Sequence, residues 1–154
     1  MAVISCQPKP KAVPVDMDAE KAAVDDLIDH MNAAFDSCDV PALVSYYSDD
    51  LLCCGTDPSE FWDKKEITEL WNQMLVDTTD LFDMISDRLV KVASDGQSAV
   101  AVEQYIMPGI SPNIPWRNTY HLIKKDGKWE IFFFSVGFIP KNEEIKKIND
   151  VLVE

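Results

Sequence analysis

Residues 116–138, WRNTYHLIKKDGKWEIFFFSVGF, constrain this chain more than any other stretch. Two aromatic-rich apolar runs flank the segment from Lys124 to Lys128, and Asp126-Gly127 between such runs marks a tight hairpin turn. Neither run alternates cleanly between apolar and polar. Ile131 to Phe134 is apolar at every position, so both faces of this part of the hairpin need cover. The rest of the chain can cover one face; a second copy of the protein is the expected cover for the other.

With 154 residues, 47% of them hydrophobic, the chain can build one ordinary domain with a sizeable core. Its net charge of −13 argues against a nucleic-acid partner, whose phosphates require a basic surface, and against electrostatic attachment to anionic lipid. No apolar run approaches the roughly 20 residues of a membrane-spanning helix. The cysteines are Cys6, Cys38, Cys53 and Cys54. Their spacing matches no zinc pattern, and with only two histidines in the chain neither a metal site nor a cofactor is expected. On a strand, Cys53 and Cys54 point to opposite faces and cannot chelate together.

Residues 1–17 read as a proline-rich tail without helical or strand periodicity. Within it, Val3-Ile4-Ser5-Cys6 resembles the lipobox of bacterial lipoproteins, although a charged region and most of an apolar stretch before it are missing. The motif admits two readings. A genuine lipobox makes this a periplasmic or membrane-anchored lipoprotein held only through a lipidated Cys6; a chance match leaves a cytoplasmic protein. The domain proper is then residues 18–154.

Asp18 is the expected cap of a helix reaching Cys38, with Val24, Leu27, Ile28, Met31 and Phe35 at helical spacing. A short second helix follows from Asp39, with Leu43, Val44 and Tyr47 as its apolar side. Leu51–Gly55 reads as a strand, Gly55–Ser59 as a turn, and Asp63 with Glu66 as a capping box opening a third helix. Strands are expected over 82–93 and 98–107, with Asp95-Gly96 as the turn between them, then a proline-rich loop over 107–115 and the hairpin. Asn142 is the expected cap of a final short helix carrying Ile145, Ile148 and Leu152. Helices that precede a run of antiparallel strands pack on one face of the sheet, giving an α+β domain.

In that order of elements, the residues resemble the SnoaL-like group of the nuclear-transport-factor-2-like superfamily. The resemblance rests on the opening helix ending Asp36-Ser-Cys-Asp39 and on Tyr46-Tyr47-Ser-Asp-Asp50 leading into a strand. It rests also on Gly55-Thr-Asp-Pro58 before Lys64–Met74, and above all on Arg117-x-Thr119 through Lys125-Asp-Gly-Lys-Trp129-x-Ile131. The resemblance implies a cone-shaped α+β barrel: three N-terminal helices packed in a curved antiparallel sheet, a short C-terminal helix, and a cavity open at one end. It also implies homodimers formed through the outer sheet face. Relatives include isomerases, cyclases, dehydratases, epoxide hydrolases and non-catalytic association domains, so the family leaves activity open. Many relatives carry a histidine a few residues after the Trp-x-Ile signature. Here Ser135 stands in its place, and chemistry carried by that histidine does not transfer.

Acid–base catalysis would need a carboxylate in an apolar pocket together with an oxyanion donor. The carboxylates available for this are Asp50, Asp57, Glu60 and Glu103, of which Glu103 interrupts an apolar strand. It reads either as a base or as half of a structural ion pair with Arg88 or Arg117. Asp57 and the strand histidine His121 are weaker catalytic candidates. Tyr47, Trp62, Trp71, Tyr105, Arg117, Tyr120 and Phe134 are the candidate lining of an apolar ligand cavity, with Arg117 as its anion-binding group. A two-residue turn at Asp126-Gly127 puts Arg117 on the face of Phe132 and Phe134, and a bulged three-residue turn puts it with Phe133 and Ser135. Three functions stay open at this point: a small-molecule-binding domain, a cofactor-independent isomerase or lyase using Glu103 or Asp57, and a dimeric association module.

Overall fold

A computed structural model describes residues 14–76 and 82–152. The Val3–Cys6 motif and the rest of the N-terminal tail lie outside them. Helix α1 spans Met17–Asp36 and is capped by Asp16, whose side chain accepts from the Ala19 amide at 3.1 Å; the cap lies two residues before the expected Asp18. Val24, Leu27, Ile28, Met31 and Ala34 are its buried stripe, and Cys38 turns the chain out of it with φ 55°. Helix α2 is short, Val40–Ser45, with proline in its first turn. Helix α3, Lys64–Met74, opens on the expected capping box between Asp63 and Glu66 and buries Ile67 completely.

Strand β1 covers Tyr47–Cys54, so Tyr47 belongs to the sheet and not to α2 as its apolar spacing suggested. The short β2, Phe61–Trp62, pairs with the end of β1. Gly55 lets these two approach: a Cβ there would lie 2.8 Å from both Glu60 Cβ and the Trp62 ring. The stretch expected as one strand over 82–93 is two pieces, β3 (Asp83–Met84) and β4 (Leu89–Val92), both paired with β5 (Ser98–Met107). Strand β6 runs Ser111–Lys125, taking in most of the expected 107–115 loop. Prolines Pro112 and Pro115 lie beyond the residues of β5 that pair continuously with β6, where a missing N–H costs no ladder bond. Strand β7 spans Lys128–Phe138, and α4 (Ile145–Leu152) follows a single 3-10 turn.

The sheet order is β2-β1-β7-β6-β5, with β3 and β4 along the far side of β5. All pairings are antiparallel except β1 with β7, which is parallel. The sheet curls without closing. Its concave face carries Ala99, Ala101, Tyr120, Leu122, Ile131 and Phe134 onto α1 and α2, and these make one continuous core. This is the α+β cone expected of the chain, with its helices inside the curl.

The hairpin turn is the two-residue kind. Lys125 faces Lys128, and Asp126 and Gly127 both take positive φ, 51° and 80°. A second device lies further along. Leu122 pairs with Ile131 but His121 pairs with Phe133, which leaves Phe132 as an extra residue in β7. This bulge reverses the alternation, so that Ile131 and Phe134 face the core while Phe132 and Phe133 lie between them on the other side. The unbroken apolar run of the sequence is thus the signature of a bulge within a sheet apolar on both faces.

Candidate functional site

Alternate residues of β5, β6 and β7 point into the cone. From β5 come Ala99, Ala101, Glu103 and Tyr105; from β6 come Trp116, Asn118, Tyr120 and Leu122. Glu103 is 2% exposed, a carboxylate deep in an apolar interior. Such a charge persists only with partners. Its Oε1 accepts from Asn32 Nδ2 at 3.0 Å and from Arg88, whose Nε lies 2.9 Å and Nη2 2.8 Å away. Its Oε2 accepts from the Tyr120 hydroxyl at 3.2 Å. The ion pair forms with Arg88, not with Arg117. Arg88 also reaches α1, donating to the Asp25 carbonyl at 2.9 Å and to Asp29 Oδ1 at 2.7 Å.

A relay of hydrogen bonds continues from Glu103 toward the end of β5. Asn118 Nδ2 donates to the Tyr120 oxygen at 2.8 Å, and the Tyr105 hydroxyl donates to Asn118 Oδ1 at 2.9 Å. Burial pushes both phenols well above the ordinary tyrosine range, and the negative charge of Glu103 adds to it. They stay neutral and act as donors.

Around this relay runs a girdle of rings. Trp71 donates its indole N–H to the Tyr47 hydroxyl at 3.3 Å. Trp71 meets Phe35 with centroids 5.4 Å apart, Phe35 meets Phe82 at 5.1 Å, and Phe82 meets Tyr105 edge-on at 4.8 Å. Tyr105 stacks on Trp116 at 6.4 Å, and Trp116 meets Phe138 at 4.3 Å. Tyr47 and Tyr120 both flank Phe134. Five of the residues expected to line a ligand site, Tyr47, Trp71, Tyr105, Tyr120 and Phe134, are therefore gathered in one interior. Trp62 packs against the core from the β2 edge.

The remaining candidates lie elsewhere. Arg117 is on the outer face, opposite Gly137 and Gln104, with its guanidinium against the Gln104 side-chain amide. The Phe132 bulge puts it there, with Phe133 and Ser135, despite the two-residue turn. His121 shares that face and stands edge-on to Phe132 at 5.9 Å. Asp57 caps its own exposed turn, accepting from the Ser59 amide and hydroxyl, and these hydrogen bonds hold its carboxyl below the usual range. Asp50 is exposed, and Glu60 closes the same turn by accepting from the Asp57 amide. Among the described residues no cluster of histidine, cysteine or carboxylate side chains could hold a metal ion.

Sequence reasoning named Arg88 only as one of two possible ion-pair partners for Glu103, and it did not single out Asn32 or Asn118 as site residues. Arg88 had a signal, being the one basic residue between Lys65 and Lys91. Asn118 had one too, since it shares strand parity with Tyr120. Asn32 had none, because its role depends on how α1 lies against β5.

Comparison with solved structures shows the same fold elsewhere. A nuclear-transport-factor-2-like protein of unknown function from Pseudomonas putida superposes with a TM-score of 0.68 at 20% identity, covering 82% of this chain and 91% of that one. A cystatin-like fold protein from Burkholderia xenovorans gives 0.65 at 12% identity, covering 80% and 94%. A ketosteroid isomerase-like protein from Erwinia carotovora gives 0.56 at 16% identity, covering 79% and 98%. None of the curated proteins compared matches the chain. The family model for SnoaL-like domains matches residues 24–136, from the buried stripe of α1 to the end of the interior face of β7, and the chain belongs to the SnoaL-like domain family.

Proposed function

We propose that this protein is a small-molecule-binding domain that takes a flat, uncharged organic ligand at the aromatic end of the cone, without acid–base catalysis by Glu103. The observation that carries the reading is the engagement of both carboxylate oxygens of Glu103 by protein donors. Arg88 and Asn32 occupy one carboxylate oxygen and Tyr120 the other, so the group serves as a buried anchor. A general base needs a lone pair within reach of a substrate proton. The ketosteroid isomerase-like relative makes an isomerase the natural alternative, and the partners of Glu103 argue against it. Arg88, the cation beside Glu103, is held by Glu103, Asp25 and Asp29, so its charge is already engaged and does not favour an anionic ligand. Thermal-shift screening with neutral and acidic aromatic compounds tests the reading. Stabilisation by neutral members is expected; turnover of a ketone that is lost in Glu103→Gln would overturn it.

The outer face supports a second statement, that the partner is another copy of this chain. Leu52, Phe133, His121 and Val100 lie in register across four strands, beside Phe132. Leu52, Val100 and Phe132 are 45%, 43% and 37% exposed. Lys91, Arg117 and Glu130 border the strip with both charge signs, which suits a self-complementary contact.

A further inference from the structure

Trp116 holds a buried polar atom that the fold does not use. Its Nε1 has no hydrogen-bond acceptor among the described residues. Two other indoles in the protein are satisfied, Trp71 by Tyr47 and Trp129 by Glu20. An unmet buried N–H costs about 1–3 kcal/mol, and most buried donors are paired. The neighbours of Trp116 are already committed. Asn118, next along the same face, gives its Nδ2 to Tyr120 and receives Tyr105 on its Oδ1. Phe138, which meets the indole at 4.3 Å, is 46% exposed and the most open ring of the girdle.

Resting on the ligand-binding reading above, we infer that Trp116 Nε1 is the donor that recognises the ligand, and that the ligand is a planar neutral molecule carrying a carbonyl-type acceptor. Indole is a donor only, so it selects an acceptor. The rings of Tyr105 and Phe138 beside it favour a flat aromatic body. Arg88 is engaged by Glu103, Asp25 and Asp29 and offers no spare charge to an anion that would otherwise accept the hydrogen equally well.

Calorimetric titration of the full chain with three probes of one shape tests this: 2-acetonaphthone, 2-ethylnaphthalene and 2-naphthoate. The ketone is expected to bind about tenfold tighter than the hydrocarbon, the worth of one hydrogen bond, and tighter than the carboxylate. In Trp116→Phe the ketone should fall to the affinity of the hydrocarbon, whose own binding should not change. Equal affinities in the unaltered protein, or a preference that survives Trp116→Phe, would overturn the assignment while leaving a ligand-binding domain. Failure of all three probes to bind would overturn both. If Trp116→Phe does not fold, the ketone-to-hydrocarbon ratio in the unaltered protein decides.

Discussion

Arg88 and Glu103 stand side by side across 15 residues of sequence, with Nη2 2.8 Å from Oε1 and side chains 14% and 3% exposed. The pair joins α1 to the inner face of the sheet, because the same guanidinium reaches Asp25 and Asp29. Removing one partner strands a buried charge. Glu103→Ala or Arg88→Ala should each cost about 3–5 kcal/mol in chemical denaturation. The double replacement Arg88→Met with Glu103→Leu should cost less than either single change, since no buried charge is left unpaired; Asp25 and Asp29 reach solvent. A cost below about 1 kcal/mol for the single variants would mean the pair is not structural.

The tyrosines carry an alkaline signature. Burial raises the pKa of Tyr47, Tyr105 and Tyr120, and for the latter two the charge of Glu103 contributes. A neutral acid with a raised folded pKa adds stability that is present below its unfolded pKa of about 10 and is lost as pH rises beyond it. Absorbance titration should show these phenols ionising only as the fold opens, in one cooperative step. Smooth, independent titration of all of them near pH 10 would contradict the buried relay.

On the acid side, Glu20 ties α1 to the hairpin. Lys124 Nζ lies 2.6 Å from its Oε2 and the Trp129 indole donates to the same oxygen at 3.0 Å. The Lys124 hydrogen bond is the largest cause holding the Glu20 carboxyl below the usual range. Its contribution is therefore complete above the unfolded value of about 4.3 and lost as pH falls through the lower folded value. Glu20→Gln should flatten the acid limb of the stability profile below about pH 4.5. An unchanged slope there would remove Glu20 from the acid response.

The outer strip predicts assembly. Leu52→Asp with Val100→Asp places charge on exposed positions away from the core, so folding should persist. Sedimentation velocity at micromolar concentration should show a dimer for the unaltered chain and a monomer for the double variant. A dimer in both would move the contact off this face.

Much of the fold was legible because local patterns specified it. The Asp63–Glu66 box, the Asp126-Gly127 turn and the strand Ser98–Met107 all lie where the residues indicate. The face of Arg117 was not legible, because the Phe132 bulge lies mid-strand and follows from how β7 pairs with β6, not from any turn residue. Glu103 drew notice as a charge in an apolar strand, but which cation would meet it depended on the fold: Arg88 lies on the inner side with it and Arg117 on the outer. The N-terminus of α1 shows the same limit at small scale. Asp16 and Asp18 are equivalent caps by type, and the register of the first turn chooses between them.

The central claim is that the aromatic end of the cone receives a neutral ligand at Trp116. Titrating 15N-labelled protein with 2-acetonaphthone and following the indole N–H resonances tests it most directly. The Trp116 resonance should shift downfield and saturate, accompanied by amides of Tyr105, Asn118 and Phe138. Shifts confined to the outer-face residues Leu52, Val100 and Phe132, with the Trp116 resonance unmoved, would contradict it.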